Sequence, residues 1–333
     1  MNKFRFWLKN ARPISLPQSL LPALTAVALT YGQGHFSIIA AIASIIGVVA
    51  LHLGLNLMDD WYDYKAGSAE ARKAVANEGF RGRMVKYPYL TSGEATPRQL
   101  LFVASLFLLA AALMGAAVYY VRGWVTLIWM LAAIVIGMSY SGGPLKLGFR
   151  GLGEVVVFVM FGPLLMTGVY WAITGGVDFK ILWLSTAVGY LVMNIVYTHS
   201  VLDAVPDAKM GKKTLAHLVG GPKGQIFISA LINTVPYMMV GAAVAIKQLH
   251  VAYLAVLILL PSSLWLVKSL NDHVKGKEVS LEPKKWMGNM GDWEKYKEAG
   301  IAWFLLRWLT ARNIVTRFCL IIIVVNLITS ILK

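Results

Sequence analysis

Charged residues and cysteines are scarce in this chain. Only 14% of its 333 residues are charged, and Cys319 is its single cysteine. In soluble globular domains, roughly a quarter of the residues are charged, so this composition argues against an ordinary soluble protein. The lone cysteine excludes an internal disulfide, and its position in an apolar run predicts an inert packing role.

Apolar residues dominate instead. The chain is 58% hydrophobic and its mean hydropathy is +0.64. Several apolar stretches reach the ~20 residues that a helix needs to cross a bilayer. These features predict an all-α, polytopic membrane protein. The net charge of +15 could indicate a nucleic-acid partner. Basic residues spread over short loops between apolar segments are, however, the usual sign of membrane topology, so we expect a lipid bilayer as partner and no nucleic acid.

Nine membrane spans can be drawn along the chain. They cover roughly 14–31, 36–58, 99–120, 124–141, 152–174, 180–201, 225–245, 250–271 and 313–332. With the N-terminus inside, all but four of the 31 lysines and arginines fall in inside segments. The positive-inside rule therefore predicts a cytoplasmic N-terminus. The expected location is the inner membrane of a bacterium.

Two segments outside the spans have interfacial patterns within what we expect to be one transmembrane domain (1–333). Residues 1–13 are basic and aromatic, which predicts an amphipathic segment on the membrane surface. Pro13, Pro17 and the spans that follow favour this interpretation over a cleaved signal peptide. Residues 272–312 form the longest polar stretch. Its second part, DWEKYKEAGIAWFLLRWL, predicts an interfacial helix, with a lid or a tether as alternatives.

Two inside loops resemble each other. DDWYDYKAG follows the second span, and VLDAVPDAKMGKKTLAHLVGGPKGQ follows the sixth. Each combines aspartates at a helix end with a polar loop that leads into the next span. Because the two loops lie four spans apart on the same side, they predict two parallel four-helix pseudo-repeats.

The first acidic cluster is predicted to lie on or near one helix face. Asn56, Asp60 and Asp63 are spaced i, i+4 and i+7, and Asp59 lies at i+3. Carboxylates crowded at the carboxyl end of a helix repel each other and face the negative end of the helix dipole. A bound cation would remove this cost. The plain alternative is that these residues are polar groups emerging into water beyond the helix.

The second cluster has the same geometry and suggests which cation binds. Asp203 and Asp207 are spaced i and i+4 on the same side of the membrane. Oxygen ligands without a nearby set of histidines and cysteines favour Mg²⁺ over zinc. Mg²⁺ is usually bound by one or two carboxylates together with substrate phosphates. The sequence therefore predicts a phosphate-bearing ligand, with Asp59, Asp60, Asp63, Asp203 and Asp207 as candidate metal ligands.

Basic residues next to these clusters could neutralise a diphosphate. Arg72 follows the first cluster, Lys212 follows the second, and Lys146 lies between spans four and five. The positive-inside rule explains most basic residues here without any ligand. We nevertheless predict diphosphate contacts for these three and for Asn56.

At these residues the chain resembles the UbiA superfamily of intramembrane prenyltransferases, in particular the branch that prenylates 1,4-dihydroxy-2-naphthoate for menaquinone. The first Asp-rich motif of that family is matched by Asn56, Asp60 and Asp63, and the second by Asp203 and Asp207. Further similar stretches are WLKNARPISLPQSLLPAL, TSGEATPRQL, SYSGGPLKLGFRGLGEVVVFVMFGPLLMTGVYW and TARNIVTRF. The similarity covers nearly the whole chain.

The resemblance implies a nine-helix bundle and an Mg²⁺-dependent transfer of a polyprenyl group from a polyprenyl diphosphate to a small aromatic acceptor. It implies catalytic roles for the aspartates of both motifs and for Tyr140, which matches a tyrosine near the developing carbocation. Where relatives commonly read Asn-Asn-x-Arg-Asp, this chain reads His199-Ser200-Val201-Leu202-Asp203. His199 could replace the missing groups as a base or hydrogen-bond donor toward the acceptor.

Other functions are compatible with a polytopic chain. One is a transporter, although its polar groups would be expected near the membrane midplane and not at one face. Another is a non-catalytic relative that binds isoprenoids, which the altered second motif motivates. A third is prenyl transfer to a different acceptor.

Overall fold

A computed structural model describes residues 2–65, 87–143, 145–209, 211–277 and 280–332. Within these ranges the chain is helical and has no named strand, and Arg150 and Lys213 form one isolated bridge. The predicted all-α fold is therefore confirmed. In chain order the helices are α1 Lys3–Asn10, α2 Pro17–Leu29, α3 Ile38–Lys65, α4 Pro88–Thr91, α5 Pro97–Arg122, α6 Val125–Ser141, α7 Gly153–Thr174, α8 Phe179–Leu202, α9 Ala204–Lys209, α10 Leu215–Leu218, α11 Pro222–Ala245, α12 Val251–Val274, α13 Trp293–Glu298 and α14 Ala302–Ile331.

Seven of the described helices are long and apolar enough to cross a membrane, namely α3, α5, α7, α8, α11, α12 and α14. The first and fourth predicted spans correspond to α2 and α6, which have 13 and 17 residues. These two helices are apolar but fall short of the ~20 residues of a full crossing.

The helix ends follow local sequence signals. α5 begins with a capping box between Thr96 and Gln99, with Pro97 in the first turn. Asp178 caps α8, its side chain accepting a hydrogen bond from the backbone N–H of Ile181 at 2.9 Å. In α7, Pro163 lies inside a π-helical turn. Because proline lacks an N–H and clashes with the preceding turn, the wider turn accommodates it.

Two predicted boundaries were wrong. The second span was expected to end near residue 58, but α3 continues to Lys65. Asp59, Asp60 and Asp63 therefore project from a helix, and the alternative that they lie beyond its end is excluded. The predicted interfacial helix in 272–312 is split instead. α13 ends at Glu298, and α14 begins at Ala302 and runs unbroken to Ile331, because the apolar sequence after Gly300 continues directly into the last span.

The helices pack around α8, the most buried of the seven long helices. It contacts α7, α11 and α14, while α3 packs along α5. The crossing of α7 and α8 is close at Gly162 and Gly189. A Cβ atom on Gly162 would lie 2.4 Å from the Cα atom of Gly189, so this approach requires glycine. The arrangement brings the carboxyl end of α3 opposite the carboxyl end of α8.

Candidate functional site

The two acidic helix ends open onto one cavity of about 310 Å³. Residues from α2, α3, α6, α7, α8, α9 and α14, and from the loops between them, line this polar cavity. Its polar and charged lining residues include Arg12, Ser15, His52, Asn56, Asp59, Asp63, Tyr140, Ser141, Glu154, His199, Ser200, Asp203, Asp207, Lys212 and Thr214. Residues from distant parts of the chain, including carboxylates of both acidic clusters, thus line one cavity.

Asp59 and Asp63 face the polar cavity, whereas Asp60 does not. The Ser141 hydroxyl, which also lines the cavity, donates a hydrogen bond to Asp59. Asp60 is fully buried and absent from the cavity wall. Its Oδ2 atom accepts a hydrogen bond from the Tyr89 hydroxyl at 2.9 Å, and Arg12 lies beside it. Adjacent helix positions point about 100° apart, so Asp59 is directed toward the cavity and Asp60 away from it.

Arg12 connects the N-terminal segment to the first acidic cluster. Its Nη2 atom donates to the backbone oxygen of Asn56 at 2.6 Å and lies 3.3 Å from Asp59 and 3.1 Å from Asp60. Burial by itself would lower the pKa of the Arg12 guanidinium, but the carboxylates of Asp60 and Asp59 more than offset this and raise the pKa. Burial and the nearby Asp60 also raise the pKa of the Tyr89 phenol. The first cluster therefore has an internal counter-ion.

The second acidic cluster is paired with basic side chains. His199 Nε2 lies 3.2 Å from Asp203 Oδ2, and Lys212 Nζ lies 3.1 Å from Asp207 Oδ2. α8 ends at Leu202, and the backbone N–H of Asp207 bonds to the Asp203 oxygen at 2.8 Å. Residues 203–207, which follow the end of α8, thus form a helical turn. This turn places the carboxylates of Asp203 and Asp207 on the cavity wall.

Glu154 is a further carboxylate on the cavity wall. It is 2% exposed, and its Oε1 atom accepts a hydrogen bond from the Ser200 hydroxyl at 2.6 Å. Its carboxylate also accepts the backbone N–H of Leu215 at 3.3 Å, at the start of α10. Glu154 therefore joins α7, α8 and the loop that carries Lys212.

Tyr140 lies on the cavity wall at the end of α6. Its ring packs against Gly148 and Gly153, where an added Cβ atom would approach ring atoms to 3.4 and 3.2 Å. Lys146 is exposed and is not part of the cavity wall, so the structure does not bring this predicted diphosphate contact to the site. Arg72 lies outside the described residues.

The donor set fits a hard, oxygen-preferring cation. Carboxylates from α3, α7 and the segment at the break between α8 and α9 line the same space, together with Asn56. Among the described residues, no three acidic, histidine or cysteine side chains lie close enough together to hold a metal ion on their own. This arrangement suits Mg²⁺, which takes one or two carboxylates and completes its coordination with waters and phosphate oxygens.

A second, mostly apolar cavity of about 320 Å³ adjoins the polar one. It lies between α3, α5, α6 and α7. We call it the apolar cavity. The two cavities share six lining residues, which we call the junction residues: His52, Leu55, Asn56, Met138, Met160 and Phe161. A ligand with a charged head and an apolar tail could occupy both cavities.

Sequence patterns missed Arg12, Glu154 and His52 as site residues. Arg12 had been grouped with the basic residues of the N-terminal segment. Glu154 and His52 are ionisable residues within apolar spans, which is a signal for function in membrane proteins and could have identified both.

The chain is similar to known prenyltransferases. A family model described as "UbiA prenyltransferase family" matches residues 19–281. The 1,4-dihydroxy-2-naphthoate octaprenyltransferase of Haemophilus influenzae is 28% identical over 259 residues, covering 77% of this chain and 82% of that protein. The 2-carboxy-1,4-naphthoquinone phytyltransferase of Synechocystis is 24% identical over 282 residues, covering 83% and 86%.

A solved structure has the same fold. The UbiA homolog from Archaeoglobus fulgidus, bound to GPP and Mg²⁺, superposes with a TM-score of 0.61 and 16% sequence identity. The superposition covers 96% of this chain and 99% of that one.

Proposed function

Because this chain belongs to the UbiA prenyltransferase family, we propose that it transfers a polyprenyl group from a polyprenyl diphosphate to an aromatic quinone precursor. The best candidate acceptor is 1,4-dihydroxy-2-naphthoate, since a relative that covers most of the chain is named for that substrate. The observation that carries the proposal is the continuous site, in which a polar cavity with two acidic helix ends adjoins an apolar cavity.

The enzyme works in a membrane. Seven of the described helices are long and apolar enough to cross it. We propose that α2 and α6 complete a nine-helix bundle of two parallel pseudo-repeats. The distribution of basic residues supports a cytoplasmic N-terminus and a site that opens to the cytoplasm of a bacterium. We further propose that residues 1–13 lie on the membrane surface and that 272–312 forms an interfacial insert.

The diphosphate would be held in the polar cavity. Asp59, Asp63, Asp203 and Asp207 would hold Mg²⁺, and Lys212 would contact the diphosphate directly. When bound, Mg²⁺ supplies positive charge that neutralises the leaving diphosphate. Further candidate diphosphate ligands from the sequence are Asn56 and Arg72. Asp60, the remaining carboxylate that the sequence suggested for the metal, lies off the cavity wall beside Arg12 and Tyr89 and is not among the proposed ligands.

The chain's own residues then direct the reaction. Apolar side chains around the prenyl tail exclude water from the allylic carbon. Tyr140, on the wall of the polar cavity, presents an aromatic ring that stabilises developing positive charge by a cation–π interaction. His199, held by Asp203, offers a hydrogen-bonding group toward the acceptor.

The direct test is transfer by the purified protein. Incubation with Mg²⁺, prenyl diphosphates of several lengths and a panel of aromatic acceptors, followed by mass spectrometry, should give a prenylated product. Asp203→Asn should abolish it without changing folding or membrane insertion. Asp292→Asn, on an exposed side chain of the insert, is the matched control and should be fully active. Full activity of Asp203→Asn would contradict the mechanism.

The same experiment separates the other functions. A product formed with an acceptor other than dihydroxynaphthoate would support prenyl transfer but identify a different substrate. The relative named as a 2-carboxy-1,4-naphthoquinone phytyltransferase makes that naphthoquinone a second candidate acceptor. Binding of the prenyl diphosphate without any product would indicate a non-catalytic isoprenoid-binding protein. Uptake of a solute into vesicles without prenyl transfer would indicate a transporter.

A further inference from the structure

The junction residues mark where the reacting carbon must lie. If the diphosphate occupies the polar cavity and the tail occupies the apolar cavity, the allylic carbon between them lies at the boundary. Of the six junction residues, four are apolar and cannot exchange a proton. Asn56 is occupied, because its amide donates to the Ala11 oxygen and to Ser15 Oγ, both at 3.0 Å. His52 is the titratable residue among them.

His52 has a hydroxyl group on each ring nitrogen. Its Nδ1 atom lies 2.6 Å from Ser19 Oγ, and its Nε2 atom lies 2.9 Å from Ser15 Oγ. The residue is 8% exposed and its ring lines both cavities. Ser15 lines the polar cavity and Ser19 lines the apolar one. A histidine bonded to two hydroxyls at this depth in a membrane protein is a candidate for proton transfer.

The two hydroxyls are arranged so that the ring can carry a second proton. Ser15 Oγ is 2.8 Å from the Arg12 backbone oxygen, and Ser19 Oγ is 3.2 Å from the Leu16 backbone oxygen. Each serine can therefore donate to a carbonyl and accept from the ring at the same time. When the ring is neutral, one ring nitrogen carries no proton and must accept a hydrogen bond, so the serine next to it donates to the ring and not to its backbone carbonyl. When the ring is protonated, both ring nitrogens donate to the serines and both serines donate to their carbonyls.

We propose that His52, acting through Ser15, accepts the proton that the aromatic acceptor loses during prenylation. This inference rests on the proposed function, and it concerns acceptors that carry a hydroxyl group conjugated with the ring. Ser15 is the relay because its hydroxyl lies on the polar cavity. Ser19 stabilises the charged ring from the other side.

The step balances without any further reactant. The O–H bond of the acceptor breaks and its electron pair becomes the C=O bond of a ring ketone, while the adjacent ring π pair forms the C–C bond with the allylic carbon. The attacked ring carbon then loses its proton, or its carboxyl group as CO2, the electrons of that bond restore the aromatic ring, and the ketone oxygen takes up a proton. The C–O bond of the prenyl diphosphate breaks, and its electron pair leaves with the diphosphate. The acceptor proton moves to Ser15 Oγ while the Ser15 proton moves to Nε2 of His52. General base catalysis of this kind contributes about 10²–10⁴ in rate.

A positive charge beside the relay belongs to Arg12, whose backbone oxygen accepts from Ser15 and whose guanidinium is paired with Asp59 and Asp60. On the side of α7, the ring packs at 5.6 Å from the Phe161 ring, which is neutral. α2 contributes the hydroxyl of Ser19.

The test compares His52→Asn with His273→Asn as a matched control. His273 is a partly buried histidine that stacks on Trp303, outside both cavities. We expect His52→Asn to lower kcat for prenyl transfer by about 10²-fold or more. The KM for the prenyl diphosphate and the stabilisation by prenyl diphosphate with Mg²⁺ should remain unchanged. His273→Asn should retain full activity. A wild-type rate for His52→Asn would overturn the inference.

A series of acceptors separates proton transfer from a structural role. Electron-withdrawing substituents make the acceptor hydroxyl more acidic, so they reduce the need for a base. The deficit of His52→Asn should shrink along this series, whereas a deficit that stays constant would overturn the inference. If wild-type protein prenylates no acceptor, the proposed function falls and this inference falls with it.

A second variant keeps the inference testable if His52→Asn fails to fold. Ser19→Ala removes the partner that stabilises the charged ring and leaves Ser15 and Asn56 in place. We expect a loss in kcat of about tenfold, because a hydrogen bond to a charged group is worth somewhat more than 1.4 kcal/mol. Ser139→Ala, a hydroxyl bonded only to its own helix, is the control and should be unchanged. An unchanged kcat in Ser19→Ala would count against the role of His52.

Discussion

The Nη2 atom of Arg12 lies 3.1 Å from the carboxylate of Asp60, a side chain with no solvent exposure. The two residues come from different elements, the turn before α2 and the carboxyl end of α3. Their contact fixes the N-terminal segment against the helix that carries the first acidic cluster. It also explains how a carboxylate can be buried beside two others.

Removing Arg12 should destabilise the protein more than removing both partners. Arg12→Gln removes the positive charge of Arg12 from beside the buried Asp60 carboxylate, and removing one partner of a buried pair costs about 3–5 kcal/mol. Thermal unfolding in detergent should show a large loss of stability for this variant. The double variant Arg12→Gln with Asp60→Asn should recover much of that stability. Equal stability of Arg12→Gln and wild type would show that the pair contributes little.

Glu154 should act through its hydrogen bonds and not through its charge. Glu154→Gln keeps an oxygen that can accept from Ser200 and from the Leu215 N–H, whereas Glu154→Ala leaves buried donors unsatisfied at about 1–3 kcal/mol each. We therefore expect Glu154→Ala to lower the free energy of unfolding and to raise KM for the diphosphate through the loosened Lys212 loop. Glu154→Gln should be close to wild type. If Glu154→Gln is as defective as Glu154→Ala, the charge itself matters.

Lys212 and Lys146 provide a matched pair of lysines. Lys212 lines the polar cavity, and Lys146 is exposed outside it. Lys212→Met should raise KM for the prenyl diphosphate about tenfold or more, since a charge-assisted hydrogen bond is lost. Lys146→Met should leave KM unchanged. Steady-state kinetics with one donor and one acceptor measure both, and equal effects of the two substitutions would contradict the position of the diphosphate.

The length of the apolar cavity should limit the length of the prenyl chain. Ala111 lines this cavity, while Ala116, on the same helix, is exposed on its outer face and is not part of the wall. Ala111→Phe should shift the preference toward shorter prenyl diphosphates, because the larger side chain occupies tail space. Ala116→Phe is the control. A competition assay with donors of mixed length would give the ratio of products, and an unchanged ratio in Ala111→Phe would place the tail elsewhere.

Removal of divalent metal should stop transfer completely. The carboxylates that face the polar cavity carry like charges, and in our proposal they bind the diphosphate through Mg²⁺. Chelation should therefore abolish both product formation and the thermal stabilisation by prenyl diphosphate, and added Mg²⁺ should restore both. Stabilisation by prenyl diphosphate in the chelated protein would instead indicate that Lys212 and other basic groups bind it alone.

Sequence reasoning succeeded where the relevant pattern is local. Apolar stretches gave the seven long helices, because the length and composition of a span are read directly along the chain. The i and i+4 spacing of Asp203 and Asp207 predicts that both side chains share one face of a short helical segment. The end of the second span was misplaced, since the polar residues of α3 lower its hydropathy although the helix itself continues to Lys65.

The fold class, the two acidic clusters and the chemistry that such clusters suit can be read from the amino-acid sequence. Which side chains face one another depends on how the helices pack. Arg12 meets Asp60 across 48 residues of chain, and His52 meets Ser15 and Ser19 from a different helix. Helical periodicity defines a face but not the helix that packs against it. The rotation of α3 about its own axis, set by packing against α2 and α5, turned Asp60 away from the cavity and His52 toward it.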